Sequence, residues 1–222
     1  MKVQRGSVFR PKTNYYKAAG IIMIVAFLQL FMAINLAETQ FPGYNTAKNT
    51  LSDLAGTLPP VEPAATIFNV SIVLAGILAI IAVILVLKSG GCRLFSSSLI
   101  LASVGAIGVG FFPGYMGGIH ALFAMMTFIF GSLALIFSYR LGINIPMVVV
   151  SMVLGLLSMG IIISLFIWGS GIGNPLIAFL GIGGTERFIV YPELLYLIAL
   201  GGYLSSRGED WVRLRFFSEE KF

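Results

Sequence analysis

Six apolar runs, at about 18–36, 64–87, 94–112, 118–139, 145–168 and 186–204, divide the chain, with shorter polar stretches between them. Each run is close to the roughly 20 residues that a helix needs to cross a bilayer. The pattern predicts an all-α, polytopic membrane protein. Six spans and their connections nearly exhaust 222 residues, which points to a single transmembrane domain, 1–222, without a soluble one. The connections at 88–93 and 140–144 are short, so the helices that they join are expected to be antiparallel neighbours in a compact bundle. The longest interruption between the early runs is FPGYNTAKNTLSDLAGTLPPVE, from Phe41 to Glu62, a polar and turn-rich first loop.

Composition places the chain outside the soluble range. Hydrophobic residues make up 58% and charged residues 10%, with a mean hydropathy of +0.96, where soluble domains carry about a quarter charged residues. The net charge of +5 does not mark a nucleic-acid binder, because the basic residues lie between and beside the spans and form no single basic face. Twelve of them (Lys2, Arg5, Arg10, Lys12, Lys17, Lys88, Arg93, Arg140, Arg207, Arg213, Arg215 and Lys221) fall on one side of the predicted membrane, against Lys48 and Arg187 on the other. The positive-inside rule then puts both termini in the cytoplasm and the loops 37–63, 113–117 and 169–185 outside, in a multi-pass protein of the cell membrane.

The first run follows basic residues as a signal peptide would, yet it is longer than a signal's apolar core and lacks a convincing cleavage site, so it reads as a retained helix. The tail from Trp211 to Phe222 mixes aromatic and charged residues and is expected to lie along the cytoplasmic headgroups. Cys92 is the only cysteine, which excludes an internal disulfide and a multi-thiolate metal site. Gly76, Gly105, Gly108, Gly110, Gly131, Gly155 and Gly160 lie within apolar runs, where small residues let helices approach closely. Phe41-Pro42-Gly43-Tyr44 is echoed by Phe112-Pro113-Gly114-Tyr115, and a proline stop, a glycine turn and an interfacial tyrosine account for both.

The middle of every predicted span lacks Asp, Glu, Lys, Arg and His, which argues against a carrier with an ion-coupled site at the midplane. Polar groups gather at the outer ends instead. Asn35 and Glu38 leave the first span, Asn69 lies about two turns into the second, His120 opens the fourth, and Glu186, Arg187 and Glu193 open the sixth. Arg187 is expected to pair with Asp53 or Glu62, keeping its charge compensated near lipid. Asp53 reads either as a helix cap or solvated carboxylate, with Ser52 or Asn49 as rival caps of a short helix through Leu54, or as part of a pocket roofed by the loop. His120, the only histidine, is either a hydrogen-bonded interface residue or a general base, and as a base it needs a carboxylate orienter and a nucleophile such as Ser52 or water. Zinc usually takes three protein ligands with histidine prominent, so no metal is expected, and no cofactor is implied. Gly181 to Gly184 could nest an anion beside Arg187 or form a plain turn.

The segments GYNTAKNTLSDLAG (43–56), PAATIFNVSIVLAG (63–76), GFFPGYMGGIHALFA (110–124) and ERFIVYPELLYLIALGGYL (186–204) together resemble the six-span prokaryotic family called domain-of-unknown-function family 998. That resemblance implies the fold and topology, and implies that Asp53, Asn69, His120, Glu186, Arg187 and Tyr191 belong to the family's shared polar set. It supplies no reaction. More distantly, Leu-Ser-Asp-Leu followed by prolines is similar to a loop of the DRAM family of six-span membrane proteins.

Three functions remain open on the sequence. In the first, an extracytoplasmic pocket uses Tyr44, Asn49, Asn69, Glu186, Arg187 and Tyr191 to bind a membrane lipid headgroup or another membrane protein. In the second, an intramembrane lipid hydrolase or transferase uses His120 as base, Asp53 or Glu193 as orienter or acid, and Ser52 or water as nucleophile. In the third, the chain is an accessory subunit of a larger membrane complex.

Overall fold

The computed structural model describes the backbone of residues 15–219 and the side chains of residues 15–207. The basic residues before Lys17 and the side chains of the tail at 211–222 lie outside them. The helices are α1 (Tyr15–Thr39), α2 (Leu51–Ala55), α3 (Ala64–Lys88), α4 (Arg93–Phe111), α5 (Gly118–Phe137), α6 (Ile145–Trp168) and α7 (Pro175–Glu219), with short 3-10 turns at Gly114–Met116 and Ser138–Leu141. Six are long and apolar enough to cross a membrane, while α2 sits within the first loop. The chain is an all-helical, six-span integral membrane protein.

Five spans lie close to the hydropathy runs, but the last covers Pro175–Arg207 instead of 186–204. The glycines at 181–184 suggested a loop, yet Asn174 and Pro175 start a helix ahead of them. Asn174 Oδ1 accepts from the backbone N–H of Leu176 at 3.0 Å, and proline at a helix start gives up no hydrogen bond. Gly181 absorbs a bend at φ +75°, and the helix resumes beyond it. The earlier start moves Glu193 from the end of a span to the middle of one. The expectation of a midplane free of ionisable side chains is therefore corrected.

The six spans close a ring in chain order, each packing on its neighbours and α7 returning to α1. The antiparallel neighbours α3 with α4 and α5 with α6 pack as expected. Glycines set several of the crossings. A Cβ on Gly76 would meet Ile107 and the Ser103 carbonyl, one on Gly105 would meet Thr127, and one on Gly155 would meet Ile136 and the Ser132 carbonyl. Gly160 departs from the expectation, since nothing lies near its missing Cβ. Large apolar side chains such as Met32, Val70, Leu122, Leu156 and Phe166 face outward, whereas the interior is rich in alanine. Hydrocarbon outside removes the penalty for exposing large side chains, so close approach of small ones determines the packing.

Candidate functional site

Residues 40–63 fold across one end of the ring as a roof, and α2 is its rigid part. Thr50 is the N-cap of α2: its hydroxyl accepts from the Asp53 N–H at 3.1 Å, and the Asp53 carboxylate accepts from the Thr50 N–H at 2.9 Å. This reciprocal capping box satisfies two backbone donors at once. The N-cap is thus Thr50, where Asp53, Ser52 and Asn49 had been the candidates, and Asp53 takes part in the cap as the N3 residue of the box. Asn49 contributes by donating its Nδ2 to Asp53 at 3.2 Å.

Two residues of α7 hold the roof down. Glu186 accepts from the N–H of Leu51 and from the N–H and hydroxyl of Ser52, the last at 2.8 Å, so a carboxylate meets the positive end of α2. Arg187 donates through Nη1 to the carbonyls of Thr46, Asn49 and Gly183, each at 2.9 Å, and through Nη2 to Glu38 and the Tyr44 hydroxyl, each at 2.6 Å. Its carboxylate partner is Glu38, not Asp53 or Glu62, because α1 packs directly on α7 and brings its C-terminal turn to the guanidinium. Tyr44 lies under Arg187 with the guanidinium carbon 5.4 Å from the ring centroid and donates its hydroxyl to the Thr50 carbonyl at 2.7 Å. Burial pushes the Tyr44 phenol well above its ordinary range, and the Arg187 charge opposes that shift only in part. Tyr191 stacks edge-on against Phe31 and reaches Glu38 at 3.5 Å. Asn69 donates to the Ala55 carbonyl at 2.7 Å and secures the far end of α2. Gly181 to Gly184 take part in this seam, where the Gly183 N–H donates to the Ala47 carbonyl at 3.0 Å and a Cβ at either Gly181 or Gly183 would strike the roof backbone.

Most of the polar set is thereby consumed in holding the roof. Beneath and beside α2, two spaces remain, and Ser52 borders both. On one side a polar pocket of about 300 Å³ is walled by Ser52, Asp53, Thr57, Tyr115 and His120. His120 is 6% exposed, and its Nδ1 lies 2.7 Å from the Phe112 carbonyl. A carbonyl only accepts, so Nδ1 carries the proton. In the neutral ring Nε2 is then an acceptor, and it is buried without a partner. On the other side a narrow apolar cavity runs down the axis of the ring from Ser52 and Glu186 to Glu193 and Leu197.

The structure thus gathers Tyr44, Asn49, Ser52, Asp53, Asn69, His120, Glu186, Arg187 and Tyr191 at one end of the ring and sets Glu193 apart in its middle. No hydrogen bond among the described residues joins His120 to Ser52 or to a carboxylate. Nor is there a group of three His, Cys, Asp or Glu side chains among them that could hold a metal. The sequence reading passed over Thr50 and left Glu38 outside the site. The Thr-x-x-Asp spacing of a capping box was a signal for the first; the second had no local signal.

No curated protein and no solved structure matches the chain, and the expected similarity to the DRAM family is not confirmed. Residues 24–203, which run from the first span through most of the last and include the whole roof, match the family described as protein of unknown function DUF998. The chain belongs to that family.

Proposed function

We propose that the protein binds the headgroup of a membrane lipid in the pocket between α2 and the start of α5, on the extracytoplasmic side. The carrying observation is His120, whose buried Nε2 lacks a partner although buried polar atoms are almost always paired. Asp53 borders the same pocket and adds a carboxylate, an acceptor only, to its wall. Such a wall selects a headgroup with donors, a hydroxyl or a primary ammonium, over one that carries none. Orientation follows from charge: Lys88, Arg93, Arg140 and Arg207 lie at the end opposite the roof, which the positive-inside rule assigns to the cytoplasm.

A hydrolase reading is less well supported. Ser52 already donates to Glu186 and Asp53 is engaged in the cap, so a base, an orienter and a nucleophile are not linked.

The test is native mass spectrometry of the purified protein offered phosphatidylethanolamine, phosphatidylglycerol or phosphatidylcholine with matched acyl chains. Retention of the first two over the third is expected, and His120→Phe, which fills the ring's volume without a nitrogen, should reduce it about tenfold, near the worth of one buried hydrogen bond. Equal retention of all three lipids, or an unaffected His120→Phe, rejects the proposal.

A further inference from the structure

Glu193 has no part in the roof or in the headgroup pocket, and its surroundings are those of a binding group. It is 5% exposed at mid-span. About 10 Å of helix rise separates it from Glu186. Among the described residues its single hydrogen-bond partner is Ser132 of α5, at 2.9 Å. The Ser132 hydroxyl lies equally close, 2.9 Å, to the Phe128 carbonyl and has only one proton to give. The carboxylate is therefore incompletely served. Gly131 makes room for it: a Cβ there would overlap Glu193 Oε2.

The axial cavity that Glu193 borders is otherwise apolar. Along α3 its wall runs from Phe68 to Ala79, a length of about 16 Å at 1.5 Å per residue. Phe27 and Phe128 add aromatic faces. The hydroxyls of Ser103 and Thr127 on the wall are turned to their own helix carbonyls, at 2.7 and 2.9 Å. Glu186 at the upper end is committed to α2. No cation among the described residues lines the space, and Arg187 is engaged with Glu38, Tyr44 and roof carbonyls.

We infer that this cavity is a second site, distinct from the headgroup pocket, which takes a linear alkylammonium with its nitrogen at Glu193 and its chain along the axis. Charge supplies the selectivity. Lipid tails already offer a hydrocarbon chain an equivalent environment, so a neutral chain gains little by entering. Keeping a carboxylate charged away from water without a counter-ion is costly, and an ammonium in the same low-dielectric cavity supplies one, so that the two are buried as a pair. The aromatic faces favour a cation further.

Native mass spectrometry with octylamine, whose extended chain matches the distance from Glu193 to Glu186, and its neutral counterpart octanol tests the site. Retention of one octylamine per chain and no retention of octanol are expected. Glu193→Gln should weaken octylamine by more than about tenfold, the scale for losing one partner of a buried charge pair, whereas Glu193→Asp, which keeps the charge, should bind between the two. Unchanged melting temperature and unchanged headgroup retention at the His120 pocket would show that the variants fold. Equal retention of the amine and the alcohol, retention of neither, or equal binding by wild type and Glu193→Gln overturns the inference.

Discussion

Arg187 illustrates how a polar residue near lipid can be structural. Its fork serves three carbonyls, a carboxylate and a phenol, drawn from α1, the roof and α7 itself. A lysine keeps the charge but cannot reach this set, because its three donors sit on one atom. Arg187→Lys is thus expected to cost about 2–3 kcal/mol, the scale of one lost hydrogen bond to a buried charged group, and to lower the melting temperature more than Glu38→Gln does. A melting temperature unchanged by Arg187→Lys would mean that the roof is held by Glu186 and Asn69 alone. His120 and Glu193 are less fully used: among the described residues His120 Nε2 has no partner and Glu193 has Ser132 alone, whereas Arg187 leaves only its Nε unpartnered.

Helices in this ring meet through small residues, and the glycines divide by what faces them. At Gly76 a side chain would press on Ile107 and the Ser103 carbonyl, so α3 and α4 would have to move apart. Gly76→Ala is expected to destabilise by about 1–3 kcal/mol, the range for overpacking. Gly160 faces open space, and Gly160→Ala should be neutral or stabilising by up to about 1 kcal/mol through helix propensity. Thermal unfolding of the two variants in one detergent measures both, and a reversed order would remove close approach as the reason for these glycines. The short α2 behaves differently from the spans. Its five residues are too few to form a helix alone, so it depends on the capping box and on Glu186 at its start.

At the scale of the molecule, the ring has two unlike ends. The roof closes one, and the basic residues Lys88, Arg93, Arg140 and Arg207 mark the other. In a Cys92→Ser background, a membrane-impermeant maleimide applied to intact cells should label Lys48→Cys on the exposed roof, and should label Arg140→Cys only after lysis. Labelling in the opposite sense would invert the assignment and move the His120 pocket to the inner leaflet. The ring encloses a cavity bordered by every helix except α6. The pocket at His120 lies across α2 from it, so the two spaces share a partition, not a wall of lipid.

The number of spans and the positions of five of them were legible in the sequence, because crossing a bilayer demands about 20 apolar residues in a row and that is a local property of the chain. The polar loop stood out against those runs, and the Thr50-x-x-Asp53 spacing within it carried the cap of a short helix. Tertiary structure decided the rest. Spans that are apolar all round do not encode which of their faces meet, so nothing near Arg187 pointed to Glu38, 149 residues away. The depth of Glu193 depended on where the last helix begins, and the bend at Gly181 lets it begin before a glycine-rich segment that reads as a turn. Whether a polar group is spent or left unpaired is a property of the assembled neighbourhood, and only the closed ring set Glu186 and Arg187 against the roof while leaving His120 and Glu193 with valence to spare.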